Sequence, residues 1–472
     1  MSFNSYGGIL FALFVLVGYN LIRGHRAQNG FLLCCSIYFY ATSNAIFTGL
    51  LLGTVLVGYL SGIIIERKNQ KGENAKLYVT ASIVILLITL GIFKYYGFFV
   101  DSFAVTLGYF GLQPTIPTLN IILPVGISFY VFQTIGYVID VYRKDVKAEK
   151  NLVDFALFVS FFPQLVAGPI ERSKNLLNQV KQPRANVGKD DIIYGVFLIA
   201  QGYVKKVVIA DNLALYVDAL FVHDDLSSPL IWAGLLMFAI QIYGDFSGYT
   251  DIARGYSRLL GFRILLNFDR PYAATSPANF WRRWHISLSQ WFTDYVYYSL
   301  GGNRSKTLIR RNYNVVATMS LSGLWHGASA NFIVWGIYHG FLIIAGRLVG
   351  AVIPERLKKL RVTQKCSVVV TFLLVLYGWM YFRITDFDQI MAFNHAMINR
   401  WDGWSIAVSF LSRGLVFLCL WILIDYFEKY WLDVYGFEVR RRTGISLYIG
   451  VLIFLSLVIH AEDSGAFIYF RF

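Results

Sequence analysis

Long apolar stretches alternate with short polar segments along most of the chain. Runs such as 45–65 and 77–100 reach the roughly 20 residues that a helix needs to cross a bilayer. They lack the strict alternation of a membrane β-strand, and lipid offers no partners to an unpaired backbone, so we interpret them as helices. Further spans are predicted near residues 6–22, 30–43, 192–220, 229–249, 313–329, 331–349, 366–384, 408–428 and 444–460. The pattern predicts an all-α polytopic membrane protein, with residues 1–472 forming a single membrane-embedded domain.

Three apolar segments are irregular. The stretch 120–143 contains Pro124, Gly126 and Gly136, which predicts a kinked helix. The stretch 155–168 is apolar but too short for an independent crossing, so we expect a re-entrant or partly buried segment. The spans 313–329 and 331–349 are separated too briefly for two independent crossings, which predicts a bent or hairpin-like element.

The segment 261–312 differs from the spans around it because it is rich in Trp, Tyr and Arg. Ser276 followed by Pro277 is a typical helix start. From there aromatic and aliphatic residues recur at helical spacing, at positions 280, 284, 288, 291, 295 and 298. We predict an amphipathic helix that lies at the cytoplasmic interface with aromatic anchors, and we expect His285 to face protein or lipid.

Composition and charge support the membrane assignment. The chain is 56% hydrophobic, 17% aromatic and only 15% charged, which excludes an ordinary soluble protein of this length. The net charge of +14 comes from clusters between apolar spans, as the positive-inside rule and contact with anionic lipids predict, so we expect no nucleic-acid partner. Arg23 and Arg26 follow the first span, which predicts an external N-terminus without a cleaved signal peptide. We assign no chemistry to the four cysteines.

Two histidines are the principal candidates for catalysis. His326 lies in an apolar, glycine- and serine-rich run, and His285 lies in the aromatic, basic segment. An ionisable group in a lipid-embedded segment is costly and therefore indicates function, and histidine is well suited to proton transfer near neutral pH. The alternative for each is a packing histidine bonded to neighbouring protein groups, and we interpret His339 in that way.

Asp245 and Asp251 end an apolar span. They could pair with Arg254 or Arg258 and shape the helix end, or they could hold the polar part of a substrate. Two classes of function remain at this point: a membrane transferase that uses histidine as its base, and a transporter that uses His and Asp as a proton relay. The lack of internal repeats favours the enzyme. No motif for a metal site, a phosphate-binding loop or a nucleophile elbow is present.

Several motifs occur in order over nearly the whole chain, and together they are highly specific. They read LPVGISFY at 123–130, IDVYR at 139–143, FFPQLVAGPI at 161–170, DFSGYTDI at 245–252, RWHISLSQW at 283–291, LGGNR at 300–304, GLWHG at 323–327 and FIYFRF at 467–472. On these motifs the sequence resembles the membrane-bound O-acyltransferases, in particular the bacterial branch that is similar to alginate O-acetyltransferases.

The resemblance implies a bundle of roughly ten to twelve transmembrane and re-entrant helices around a central tunnel. It implies transfer of an acetyl group from a cytoplasmic thioester, acetyl-CoA, to an exported polysaccharide, with no bound cofactor and with a periplasmic or extracellular partner of the SGNH type. The location implied is the inner or plasma membrane of a bacterium. The main rival is the similar teichoic-acid D-alanylation branch, whose donor is a carrier-protein thioester.

The resemblance also suggests roles for individual residues. His326 matches the essential histidine of the family and His285 its second polar position. We hypothesise that His326 deprotonates the acceptor hydroxyl while His285 orients the donor carbonyl. Trp325 and Trp284 are expected to wall the tunnel. Phosphate or carrier contacts are expected from the arginines of the interfacial segment, which could equally be positive-inside anchors: Arg282, Arg283, Arg304, Arg310 and Arg311.

Overall fold

The computed structural model describes residues 3, 5–112, 121–184, 186–222, 226–433, 438–439 and 443–459. The chain forms two compact units, Met1–Val187 with Tyr256–Leu265, and Gly188–Gly255 with Leu266–Phe472. Helices dominate both units, which confirms the predicted all-α class. The β-structure of the described residues is one two-residue antiparallel pairing, of β1 (Leu432–Asp433) with β2 (Glu438–Val439).

The first unit contains the N-terminal helices. In chain order they are α1 (Tyr6–Leu21), α2 (His25–Ala41), α3 (Ala45–Gln70), α4 (Lys76–Leu90), α5 (Tyr96–Tyr109), α6 (Ile127–Tyr142), α7 (Leu152–Ser160), α8 (Phe162–Leu165) and α9 (Asn178–Lys181). Two π-helical turns, Gly91–Tyr95 and Ser173–Leu177, lie before α5 and α9.

The second unit contains the remaining helices, although the last turn of the helix Ser228–Leu259, from Tyr256 onward, belongs to the first unit. In chain order they are α10 (Lys189–Tyr203), α11 (Asp211–Phe221), α12 (Ser228–Leu259), α13 (Pro277–Trp281), α14 (Ile286–Phe292), α15 (Leu308–His326), α16 (Ala330–Val352), α17 (Glu355–Lys358), α18 (Arg361–Arg383), α19 (Phe387–Asn399), α20 (Trp404–Trp431) and α21 (Ile445–Val458). Two π-helical turns, Val204–Ala210 and Thr293–Tyr297, follow α10 and α14. Two short 3₁₀ helices are Pro271–Ala273 and Gly302–Arg304.

Seven helical segments of the described chain are long and apolar enough to cross a membrane, which confirms a multi-pass membrane protein. They are Ala45–Gln70, Lys76–Tyr109, Lys189–Phe221, Ser228–Leu259, Ala330–Val352, Arg361–Arg383 and Trp404–Trp431. Helix α12 has 89% of its most apolar stretch buried, whereas α20 has 11%. Helix α12 is therefore packed all round by protein, whereas α20 presents most of its apolar side chains outward.

Helix α6 lies in the core of the first unit and covers Ile127–Tyr142 of the stretch 120–143, for which a kinked helix is predicted. It begins at Ile127, after Gly126 adopts a positive φ of 74°. Gly126 suits this position because glycine accepts the left-handed conformation. On α3, Gly58 and Gly62 lie against Thr134 and Tyr137 of α6, so the absent side chains permit close packing of the two helices.

The apolar stretch 155–168 is broken, as its composition predicts. Helix α7 ends at Ser160 and α8 covers only Phe162–Leu165. Side chains throughout the stretch are buried, including the polar residues Ser160 and Gln164. Gln164 donates to the side chain of Gln133 at 3.1 Å, so the segment is anchored to α6 by a polar contact inside an apolar core.

The predicted continuous amphipathic helix after Ser276 is wrong. Ser276 does cap α13, its hydroxyl accepting from the backbone N–H of Asn279 at 3.2 Å. However, α13 ends at Trp281, and α14 begins only at Ile286 after a turn that carries His285 with φ 42°. Side chains on both short helices are buried in the same unit. Their regular spacing in the sequence therefore looks like that of one continuous helix.

Helices α15 and α16 form a tight antiparallel hairpin, as the short connection predicted. Thr307 caps the start of α15 by accepting from the N–H of Arg310. A Cβ atom on Gly323 would collide with the carbonyl oxygen of Phe332, and a Cβ on Gly336 with that of Met319. Glycine at these two positions therefore lets the helix backbones touch, as small residues do between membrane helices.

We expect Gly336→Ala to destabilise the protein by about 1–3 kcal/mol, because its methyl group would overpack the hairpin. The matched control is Gly350→Ala on the same helix, where an added Cβ meets nothing within 4 Å. That control should be neutral or slightly stabilising, since Ala has the higher helix propensity. Thermal unfolding of the detergent-solubilised variants measures the difference, and equal melting temperatures would show that the close approach is unimportant.

Candidate active site

A clamped turn positions His285 between α13 and α14. The N–H of Ile286 donates to the backbone oxygen of Asn267 at 2.9 Å, and the hydroxyl of Ser287 donates to the Asn267 side chain at 2.6 Å. Asn267 is fully buried. A positive φ on a non-glycine residue is uncommon and is retained only where the surroundings enforce it. Asn267 therefore supplies the contacts that keep His285 in this conformation.

Arg283 and Asp269 close the same turn. The N–H of Asp269 donates to the backbone oxygen of Arg283 at 3.0 Å, and the Arg283 guanidinium lies 3.2 Å from the Asp269 carboxylate. The Arg283 Nε also donates to Asn279 at 3.1 Å. Arg283 therefore stabilises the turn that carries His285, two residues further along the chain. The substrate-contacting role predicted for Arg283 remains a prediction.

His326 is the last residue of α15 and is enclosed by aromatic rings. The centroid of its imidazole lies 5.0 Å from Trp325, 5.2 Å from Trp335 and 5.3 Å from Phe382. Only 2% of His326 is exposed. We call Trp325, Trp335 and Phe382 the aromatic collar of His326.

The two histidines lie together although 41 positions separate them in the chain. Their ring centroids are 6.4 Å apart, and the Trp325 ring lies 5.8 Å from that of His285 and 5.0 Å from that of His326. His285 is fully buried and also packs against Phe246 of α12 at 4.7 Å. Two imidazoles at this separation can act on one small group, one as a proton acceptor and the other as a hydrogen-bonding group.

Trp284 packs against aromatic residues that lie outside the aromatic collar. It is fully buried and packs against Trp379 at 4.8 Å, Phe268 at 5.0 Å and Phe280 at 5.6 Å. Trp379 in turn lies 5.4 Å from Phe382. The contacts of Trp325 fit a wall beside both histidines, whereas those of Trp284 fit a second layer of packing. The tunnel-lining role of both residues stays a prediction.

His339 lies next to the collar, on α16. Its ring lies 4.8 Å from Trp335 and 5.2 Å from Trp281, and it is 1% exposed. Trp335 thus separates it from His326. The surroundings of His339 are aromatic on each of these sides, in keeping with its interpretation as a packing histidine.

Asp245 and Asp251 pair with two lysines, Lys206 and Lys205, for which the sequence pattern predicted no role. The Lys206 ammonium lies 2.6 Å from Asp245, and the Lys205 ammonium lies 2.7 Å from Asp251. The predicted pairing of Asp251 with Arg254 is also present, at 3.7 Å. Two lysines inside an apolar span were a visible signal, because intramembrane charges are rare and usually paired.

The lysine pairs have further partners. Lys206 also lies 2.7 Å from Asp211, and Lys205 lies 3.2 Å from Glu428 of α20. All these groups are largely buried, and the Lys205 group therefore connects the π-helical turn Val204–Ala210 with α12 and α20 by charge. Such contacts favour the interpretation of the two aspartates as groups that fix helix packing, although contact with substrate remains a prediction.

A cavity of about 670 Å³ lies beside the site, between the α13–α14 segment, α15 and α16. Trp281 lines it and also packs 5.5 Å from Trp335 of the collar. Ser322, one turn before His326, lines it as well. Its volume is in the range of pockets that bind small molecules. Two exposed arginines, Arg282 and Arg347, and one acidic residue, Asp294, also line it.

The arginines of the segment therefore separate by position. Arg282 lines the cavity, Arg283 holds the His285 turn, and Arg304 is exposed in the 3₁₀ helix that follows α14. Arg347 was missed because it lies in an apolar span far along the chain, and nothing local links it to residue 282. Among the described residues, no group of three or more His, Cys, Asp or Glu side chains is arranged to hold a metal ion.

Comparison with known proteins identifies relatives over most of the chain. The model of the membrane-bound O-acyltransferase family matches residues 32–387. The probable alginate O-acetylase AlgI of Azotobacter vinelandii is 40% identical over 86% of this chain and 80% of its own length. The corresponding Pseudomonas aeruginosa protein is 41% identical over 84% of this chain and 75% of its own length. A teichoic acid D-alanyltransferase of Bacillus subtilis is more distant, at 27% identity over 57% of this chain and 71% of its length.

Burial gives His285 a testable pH dependence. Desolvation lowers the pKa of His285 to about 3, so the folded protein keeps this ring neutral down to that pH. In the unfolded chain the same ring binds a proton below a pH of about 6.5. As the pH falls from about 6.5 to about 3, the free energy of unfolding should therefore decrease by up to about 1.4 kcal/mol per pH unit. His285→Asn, which suits the positive φ but cannot titrate, should have a shallower dependence of melting temperature on pH between 7 and 4. His395→Asn, at an exposed histidine, is the control. Equal slopes for wild type and His285→Asn would contradict a buried neutral ring.

Proposed function

Because the chain belongs to the membrane-bound O-acyltransferase family and is a multi-pass membrane O-acyltransferase, we propose that it transfers an acetyl group from cytoplasmic acetyl-CoA towards an exported, alginate-like polysaccharide. The observation that carries this proposal is the histidine pair, 6.4 Å apart in an aromatic interior beside a large cavity with two arginines. A thioester is already activated, so the protein must chiefly align donor and acceptor and accept one proton.

We assign the base to His326 and the orienting role to His285. The acceptor hydroxyl oxygen attacks the thioester carbonyl carbon, and its proton passes to His326. His285 is placed to stabilise the charge that develops on the carbonyl oxygen. Collapse of the tetrahedral intermediate breaks the carbon–sulfur bond, and the proton held by His326 can then pass to the leaving thiolate. The low exposure of both rings supports these roles, because electrostatic contacts are stronger where water is excluded.

The cavity is the proposed binding site of the donor. Its wall combines apolar side chains with hydroxyl and amide groups and one carboxylate, that of Asp294. The apolar, hydroxyl and amide groups suit the alternating apolar and amide parts of a pantetheine arm. Arg282 and Arg347 offer guanidinium groups for the phosphates of coenzyme A. Arg304 is exposed and remains available for the same anionic molecule or for the membrane surface.

The acceptor side of the proposal rests on the relatives. Those at about 40% identity are named as probable alginate O-acetylases, whereas the relative that is a teichoic acid D-alanyltransferase matches less of the chain and at lower identity. This difference favours acetyl-CoA and a polysaccharide over D-alanine on a carrier protein. We further propose that residues 1–472 act as one catalytic domain in the plasma or inner membrane of a bacterium, and that an SGNH-type partner outside the membrane completes the transfer.

The test is release of free coenzyme A from acetyl-CoA by the detergent-purified protein. His326→Ala should lower the rate by about 10²–10⁴-fold, because that is the range contributed by a positioned base. The matched control, His395→Ala, removes an exposed imidazole and should retain the wild-type rate. Normal release by a well-folded His326→Ala protein would contradict the assignment of the base. No release by folded wild type would favour a carrier-protein donor instead.

A further inference from the structure

The aromatic collar leaves little space around His326. Only 2% of His326 is exposed, and two members of the collar, Trp335 and Phe382, are themselves fully buried. The cavity of about 670 Å³ is lined by Trp281 and Ser322 and by neither histidine. A group that reaches His326 therefore meets closely packed aromatic rings.

Phe382 is fixed from several sides. Its ring lies 5.3 Å from His326, 5.3 Å from Trp335, 5.3 Å from Phe332 and 5.4 Å from Trp379. Phe332 in turn lies directly over Gly327, where any side chain would collide with its ring. Close-packed interiors yield little to added volume, so displacing the Phe382 ring requires its aromatic neighbours to shift as well.

The reaction geometry places the acyl group against this wall. A base acts only within hydrogen-bond reach of the proton that it removes, about 2.6–3.2 Å between heavy atoms. The hydroxyl oxygen is at the same time bonding to the carbonyl carbon. The first carbon of the acyl chain must then lie within one or two bond lengths of the atoms next to His326, where the collar surrounds it.

We propose that Trp335 and Phe382 determine acyl specificity by limiting the length of the transferred chain, so that acetyl is accepted and longer acyl groups are excluded. This inference rests on the proposed function. Acetyl ends in one methyl group, which requires only a small displacement of the collar. Each added methylene requires a larger displacement of two rings that are themselves enclosed. Trp335 lies on α16 and Phe382 on α18, and both lie outside the sequence motifs on which the resemblance to the family rests.

The test compares butyryl-CoA with acetyl-CoA in one preparation of purified protein. Wild type should release coenzyme A from acetyl-CoA in clear preference to butyryl-CoA. Phe382→Ala deletes the ring next to His326 and should raise the butyryl-to-acetyl rate ratio by about tenfold or more, the scale of one or two methylenes in an apolar pocket. A ratio cancels any uniform loss of active protein, which a purely structural role would cause.

The matched control is Phe393→Ala on α19. Phe393 and Phe382 are both fully buried, but Phe393 stacks on Phe221 at 5.6 Å and not on either catalytic histidine. Its replacement should lower yield without changing the ratio. If Phe382→Ala does not fold, Phe382→Leu and Trp335→Phe test the same wall with propionyl-CoA, and each should raise the propionyl-to-acetyl ratio.

The outcomes separate this inference from the proposed function. An unchanged ratio in folded Phe382 and Trp335 variants that still use acetyl-CoA overturns the specificity inference alone. Equal use of butyryl-CoA and acetyl-CoA by wild type overturns it as well. A folded wild type that releases coenzyme A from none of the thioesters overturns the proposed donor, and this inference with it.

Discussion

The backbone contact between α15 and α16 is the constraint on which the site depends. His326 ends α15, and its neighbour Trp335 lies near the start of α16, so their rings can meet only if the hairpin is tight. Gly323 and Gly336 make it tight because each lies directly against a carbonyl oxygen of the facing helix. Dispersion contacts between closely apposed helices replace the hydrophobic driving force that lipid does not supply. The position of His326, the proposed base, thus follows from two absent side chains.

Buried ion pairs are a second constraint on the packing of the helices. Lys205 and Lys206 lie on a π-helical turn, a local irregularity that is frequent at functional sites, and each lies between two carboxylates. Removing one member of a buried pair of this kind typically costs about 3–5 kcal/mol, because the remaining charge has no water. The ionic groups connect the helices, whereas His285 and His326 are surrounded by aromatic rings. Burial lowers the pKa of His285, which favours its neutral ring.

Much of the fold could be predicted because apolar length and helix-capping residues are local properties. The span predicted to begin at Ala45 does begin there, and Ser276 does cap a helix. The turn at His285 could not be predicted, since buried aromatic residues keep the same spacing on both sides of the break. Its cause is Asn267, 18 positions earlier, whose contacts leave no periodic signal.

The sequence pattern predicted the two histidines and Trp325 of the candidate site, but it did not reveal the residues that surround them. His285, His326 and Trp325 stand out in sequence because ionisable and aromatic residues are concentrated around them, and the structure brings them together. Phe382 and Trp335 are ordinary apolar residues of predicted spans, and only tertiary packing makes them neighbours of His326. Arg347 likewise lines the same cavity as Arg282 only because of tertiary packing. The terminal motif at 467–472 lies outside the described residues.

The most direct test of the central claim is a cryo-EM structure with a non-hydrolysable thioether analogue of acetyl-CoA. We expect the pantetheine arm to occupy the cavity between α13–α14, α15 and α16, with the phosphates at Arg282 and Arg347. The acetyl carbon should lie between His285 and His326, with the rings of Trp335 and Phe382 around its methyl group. An analogue whose acyl group is bound away from both histidines would contradict the claim that this pair is the reacting centre.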